Sequence, residues 1–355
     1  MEDASLERFV ERVNGEGRLR VEEDFGGGFV RLRTSEAERR QAAQDIRSSE
    51  DIVLELLRNA RDAHASNIFL ASSKTRGIRT LVVIDDGEGI PASMHERIFE
   101  ARVTSKLNTS HTDKWGYHGR GMALYSVRQN AQAQVASSDV NLGTSIVVHA
   151  DVSKLAEKAD QSSFPRFSQD ETGMVHVLGP KNIVRTACEF AIEEHAQCNV
   201  YLGSIAEIAA SIFAYGVRTM TKAERAFCTD ANALPLVKRL AVASDPAEFQ
   251  QMAAQLGLVL SERTARRILD GDIHPAPNML NQISIDKPRA TSSTAKRTRA
   301  SVVKLQPEDK AAMAAAAKSA YADIAGQYYL NPDVDPSVRV DGSKLVIDIP
   351  LVPAD

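Results

Sequence analysis

Two hydrophobic rhythms run along this chain. Around residues 49–63, SEDIVLELLRNARDA sets Val53, Leu54, Leu57 and Ala60 at helical spacing, so one face would pack on a sheet. Residues 81–84, by contrast, form a continuous apolar, largely β-branched run that stops at Asp85-Asp86-Gly87-Glu88-Gly89, which reads as a buried strand ending in a glycine turn. Upstream, MEDASLERFVERV reads as an opening helix, and RLRVEED with FVRLRT as a strand pair turning at Gly26 to Gly28. Two helices are expected within 35–65. Pairing of 67–72 with 80–85, and of 134–138 with 145–149, predicts an antiparallel-leaning sheet with helices on one face.

Beyond residue 150 the rhythm becomes helical, over 183–196, 204–217 and 246–271. The last of these breaks at Gly257 and restarts at Ser261, a good N-cap, which gives the outline of a helix-turn-helix. A plain helical hairpin is the commoner source of such a pattern, because the turn needs only a glycine and a cap. Arg263, Arg266 and Arg267 on the second helix keep a DNA contact open. Residues 285–304 are polar and basic and read as a linker, although Lys296, Arg297 and Arg299 could meet phosphates. After Pro307 an alanine-rich stretch predicts a helix, and SVRVDGSKLVIDIPLV a hairpin around Asp341-Gly342. The expected units are 1–150, a mostly helical 151–280, a basic linker or loop at 281–305, and a terminal helix and hairpin at 306–355.

Composition narrows the class further. At 355 residues with a net charge of -4 and pI near 6.1, the chain as a whole gives no argument for nucleic acid or membrane binding. No apolar run approaches a membrane span, and the N-terminus lacks the basic-then-apolar order of a signal peptide, so a cytoplasmic protein is expected. Cys188, Cys198 and Cys228 are odd in number and far apart, which suits free, mostly buried thiols.

Three stretches carry chemistry. In ELLRNARDA, Glu55 and Asn59 are four apart and share a helix face, as a common water and metal ion would require, and Asp62 extends the polar line. Asp85 stands at a strand end, where a carboxylate can accept from an exocyclic amine, beside glycines that let a flat base approach the main chain. In GYHGRGMAL, Gly116, Gly119 and Gly121 precede an apolar helix start at Met122, so backbone N–H groups could face phosphates with His118 and Arg120 adding charge.

The order of these stretches resembles the GHKL ATPase superfamily of gyrase B subunits, Hsp90 chaperones, histidine kinases and MutL repair proteins, over about residues 49–148. The resemblance implies a Bergerat-type two-layer α/β sandwich holding ATP and Mg2+, followed by a largely helical region and a small C-terminal α+β element. It implies Glu55 as the water-activating acid, Asn59 as the magnesium ligand, Asp62 as a supporting acid and Asp85 as the adenine reader. Gly87, Gly89 and Ile90 would line the base pocket, Gly116, Gly119 and Gly121 would form the phosphate lid, and Thr144 would close the adenine pocket. HERIFEARVTSK, residues 95–106, is similar to the phenylalanine box of histidine kinases and to a Thr-Ser-Lys stretch of MutL-like proteins, and makes Lys106 a phosphate candidate. Asp86 departs from the family's usual Asn, and reads as an exposed turn residue.

A hydrolase is the expected class: ATP closes a lid spanning residues 101–117, drives dimerisation, and acts on a partner, DNA among the candidates, as in MutL or a type IIB topoisomerase B subunit. The alternatives are a histidine kinase-like phosphotransferase and a nucleotide-sensing module. Against the kinase, only about fifty residues precede the site, with no long paired-helix element carrying a histidine.

Overall fold

Serine caps set the first two helices. The computed structural model describes residues 21–105, 111–113, 116–118, 121–169, 175–283, 285–286, 305–325, 328–341 and 344–354, with 111–113, 116–118, 176, 285–286, 341 and 344 in backbone only. The predicted opening helix and most of the basic linker, with Lys296, Arg297 and Arg299, lie outside the described residues. A hairpin of β1 (Val21–Gly26) and β2 (Phe29–Leu32) leads into α1 (Glu36–Asp45) and α2 (Ser49–Asp62). Ser48 Oγ accepts the Asp51 N–H while Asp51 returns a carboxylate to the Ser48 N–H at 2.9 Å, and Ser35 and Glu38 repeat the box on α1. On α2 the buried apolar face is Ile52, Val53, Leu56, Leu57 and Ala60, with Leu54 only half-buried. Cutting Leu57 to Ala would cost about 2–5 kcal/mol, the range for a fully buried leucine.

After α2 come β3 (Asn67–Thr75), β4 (Ile78–Asp85), the short β5 (Val103–Thr104), a small hairpin of β6 (His111–Asp113) and β7 (Gly116–His118), then α3 (Ala123–Asn130), β8 (Gln132–Asp139) and β9 (Gly143–Asp151). Further along lie β10 (Arg166–Gln169), β11 (Val175–Leu178), α4 (Ile183–Glu193), β12 (Asn199–Gly203), α5 (Ile205–Thr219), α6 (Leu236–Arg239), α7 (Pro246–Gln255), α8 (Glu262–Leu269) and β13 (Ile285–Asp286). The main sheet has the order β12-β3-β4-β9-β8, with β12 parallel to β3 and the other pairs antiparallel.

Alternate residues of the central strands face two separate cores. Ile68, Leu70, Leu81, Val83 and Ile146 pack with α2 and α4 on one side. Phe69, Ala71, Val82, Ile84 and Val147 pack on the other with α5, α6, α7 and α8. The α/β sandwich is present, and the helical region adds a layer to its second face, where helices on one face only were expected. Strands buried on both faces read as unbroken apolar runs rather than as alternation, which accounts for the pattern at 81–84.

The helix-turn-helix outline belongs to this second layer. Gly257 in the turn has φ +77°, and a Cβ there would lie 2.2 Å from Val147 Cγ2. Ser145 Oγ donates to the Leu256 carbonyl at 2.8 Å. The turn is therefore pressed onto the sheet. Arg263, Arg266 and Arg267 are exposed on α8, but Arg266 pairs with Glu262 at 3.5 Å and Arg267 with Asp272 at 3.9 Å, with Asp270 also exposed nearby.

Residues 1–288 form one compact unit, whereas the sequence suggested a division near 150; the reason is that β12 and α5 complete the same sheet and its outer core. The other unit, 289–355, holds α9 (Pro307–Ala325) and the antiparallel β14 (Ser337–Asp341) and β15 (Lys344–Asp348). Tyr321, Ala325 and Val334 make its small core, and Lys318 joins Asp333 at 2.7 Å and Asp335 at 2.9 Å. Among the described residues no helix is long and apolar enough to cross a membrane.

Candidate functional site

One cleft collects most of the predicted residues. It lies between α2, the ends of β4 and β9, and the base of the lid segment, encloses about 1080 Å³ including its open mouth, and is lined by Glu55, Asn59, Asp62, Asp85, Gly89, Ile90, Gly121 and Thr144. Gly87 and Met122 do not line it. Met122 instead precedes α3, where its carbonyl accepts from Ser126. Gly116 and His118 belong to β7, a strand where a loose lid loop was expected. Lys106, Gly119 and Arg120 lie outside the described residues.

In the cleft wall, Asp85 is 5 % exposed and accepts the Gly87 N–H at 2.9 Å. Thr144 stands opposite it in the β4–β9 register and is buried. Ser138, which the sequence reading missed, braces this corner: its Oγ accepts the Ile90 N–H at 2.8 Å, donates to the Gly143 carbonyl at 2.9 Å, and sits 3.2 Å from Thr144 Oγ1. Packing by itself requires glycine at two positions here. A Cβ on Gly89, at φ +73°, would fall 1.8 Å from the Asp139 carbonyl oxygen, and one on Gly143, at φ +87°, 2.1 Å from that of Asp85.

Asp86 is not the exposed turn residue that was expected. Its Oδ1 accepts the N–H groups of Ser66 and Asn67, both at 2.7 Å, and its Oδ2 accepts from Asn67 Nδ2 at 2.8 Å. One carboxylate thus ties the end of β4 to the turn after α2, and fixes Asp85 relative to the helix that carries Glu55.

Along α2 the acids have partners of their own. Arg58 Nη1 donates to Glu55 Oε1 at 2.5 Å, with side chains 7 % and 19 % exposed. Asp62 accepts from Arg61 at 2.9 Å, and Arg61 also donates to Glu194 at 2.6 Å. Burial opposes the charge on Arg61, but its bonds to Glu194 and Asp62 outweigh that and raise its pKa. Asn59 Nδ2 is buried without a hydrogen-bond partner, so this amide has capacity to spare at the cleft wall.

No group of three or more His, Cys, Asp or Glu among the described residues is arranged to hold a metal. Magnesium does not need such a cage. It is commonly held by one or two protein oxygens together with substrate phosphates, and the donor set around Asn59 fits that mode.

The lid segment is anchored at its base. Arg102, in the left-handed region at φ +62°, donates its N–H to the Gly121 carbonyl at 2.9 Å and accepts from the Leu32 N–H at 3.0 Å. β5, just after Arg102, pairs with β2, and Val103, Thr104 and Ser105 line the cleft mouth. Phe29, Arg58, Ile98, Leu124 and Ile146 also line the cleft without having been singled out; the apolar β2 run FVRL was the available signal for Phe29.

Residues 46–182 match the family described as "Histidine kinase-, DNA gyrase B-, and HSP90-like ATPase". Residues 46–182 therefore form a domain of the GHKL ATPase type. Among curated relatives, the DNA mismatch repair protein MutL of Lactiplantibacillus plantarum is 34% identical over 108 residues, which cover 30% of this chain and 16% of that protein. MutL of Parabacteroides distasonis is 31% identical over 113 residues, 30% of this chain and 18% of its own, and MutL of Staphylococcus aureus 29% over 119 residues, 32% and 18%. The matched stretch is thus less than a fifth of the length of these relatives. A solved structure titled "Crystal structure of ShkA full-length in complex with AMPPNP" covers 58% of this chain and 48% of its own at 18% identity and a TM-score of 0.24, too slight a likeness to bear on fold or function.

Proposed function

We propose that the protein binds ATP in this cleft and hydrolyses it. The observation that carries the reading is that one cavity is lined both by buried Asp85, at the end of β4, and by Glu55 with Asn59 on a single face of α2. Asp85 would accept from the exocyclic amine of adenine, with Thr144 beside it. Asn59 would hold magnesium together with the phosphates, and the ion would offset charge on the phosphoryl oxygens. Glu55 would orient a water molecule and take its proton as the water oxygen bonds to the terminal phosphorus. The bond to the bridging oxygen then breaks, and ADP leaves with the electron pair.

Anchorage of the lid segment at Arg102 and Gly121 supports closure over the phosphates as the conformational output. What that output acts on is left to a partner. The basic residues of α8 do not favour duplex DNA, since Glu262, Asp270 and Asp272 accompany Arg263, Arg266 and Arg267 and balance them three to three.

The test is phosphate release by wild type and by Glu55→Gln, with nucleotide binding measured alongside. Loss of a general base lowers turnover by about 100-fold or more while binding persists. Turnover by the variant at the wild-type rate would remove Glu55 from that role.

A further inference from the structure

Among the described residues lining the cleft, Glu55, Asp62, Asp85 and Glu88 carry negative charge and Arg58 is the one cation. A nucleoside triphosphate would bring several further negative charges into this wall of carboxylates. Arg58 already has a place there, bound to Glu55 through a 2.5 Å contact between two largely buried groups.

We propose that Arg58 is an exchangeable clamp, held on Glu55 Oε1 when the terminal phosphate is absent and transferred to that phosphate when ATP binds, which releases its hold on that oxygen. This rests on the reading of the cleft as a triphosphate site with Glu55 as its base.

Three features support the exchange. Glu55, Arg58, Asn59 and Asp62 follow the three- and four-residue spacing of one helix face, so a phosphate near Asn59 is also near Arg58. A guanidinium removed from bulk water is costly to leave unpaired, so it changes partner readily only when the new partner is also an anion. A phosphate offers the guanidinium two parallel hydrogen bonds, and the long arginine stem can turn without moving the helix backbone. The consequence is discrimination. ADP has no terminal phosphate and would leave Arg58 on Glu55, with Oε1 of the would-be base still engaged.

The experiment is a titration of wild type, Glu55→Gln, Arg58→Met and the double variant with a non-hydrolysable ATP analogue plus magnesium, and with ADP. Arg58→Met should weaken the analogue about tenfold, the scale of one lost charge-assisted contact, and leave ADP unchanged. Glu55→Gln loosens the hold on Arg58, and should strengthen the analogue several-fold relative to ADP. That gain should vanish in the double variant, because it is transmitted through Arg58. If the Arg58→Met protein fails to fold, Arg58→Lys and Glu55→Gln still decide: the lysine should retain part of the preference for the analogue over ADP, and the glutamine should enlarge it. An unchanged preference in Glu55→Gln, or a gain that persists without Arg58, would overturn the clamp. Normal turnover in Glu55→Gln would instead overturn the base assignment, and failure of both nucleotides to bind would overturn the site itself.

Discussion

Asp86 and Asn67 are joined twice, by the Asn67 N–H to Oδ1 at 2.7 Å and by Nδ2 to Oδ2 at 2.8 Å. With the Ser66 N–H on the same oxygen, three donors converge on one carboxylate between the α2–β3 turn and the end of β4. Asp86→Ala should therefore destabilise the fold by about 2–3 kcal/mol, the range for hydrogen bonds to a charged group together with donors left unmet. Urea unfolding of the purified variant measures it. A loss under about 0.5 kcal/mol, typical of a surface change, would show that the brace is idle.

Glu157 offers a test of pH linkage. It accepts from Arg79 at 2.9 Å and Lys74 at 2.5 Å; burial works against its charge, but these bonds prevail and hold its pKa below the usual carboxylate range. A depressed folded-state pKa adds stability above the unfolded value, near 4.3, and that contribution fades as pH falls through the lower folded value. Comparison of wild type with Glu157→Gln across pH 7 to pH 3 should show a stability gap that narrows in acid. A constant gap would mean that charge is not its source.

The thiols should differ in reactivity. Burial, with Glu189 adding to it, pushes Cys188 up to about 12, and burial pushes Cys198 up to about 11, whereas Cys228 is only half-buried. Reactive thiolate is scarce at the first two sites. A thiol reagent near neutral pH should label Cys228 alone in the native protein, and Cys188 and Cys198 only on unfolding, as read by mass spectrometry of peptides. Native labelling of Cys188 at the rate of Cys228 would contradict this burial.

The cleft-lining face of α2 was legible because Glu55 and Asn59 are neighbours through local helix geometry, and Asp85 because a β-branched run stops there. Asp86 was not, because its three donors come from a turn some twenty residues away. Arg58 was hidden for another reason: an arginine three residues after a glutamate reads as an ordinary helix-surface pair, and only packing shows that both are largely withdrawn from water. β12 escaped notice as five residues between two helices, although it completes the main sheet through its register with β3.

The central claim is that Asp85 reads the base of a nucleotide held in this cleft. Calorimetric titration of wild type and Asp85→Asn with ATP and magnesium tests it most directly, given equal folding of the two proteins. Loss of the charged acceptor should weaken binding by about 10- to 100-fold, the equivalent of one strong hydrogen bond. Equal affinity in the two proteins would contradict the account.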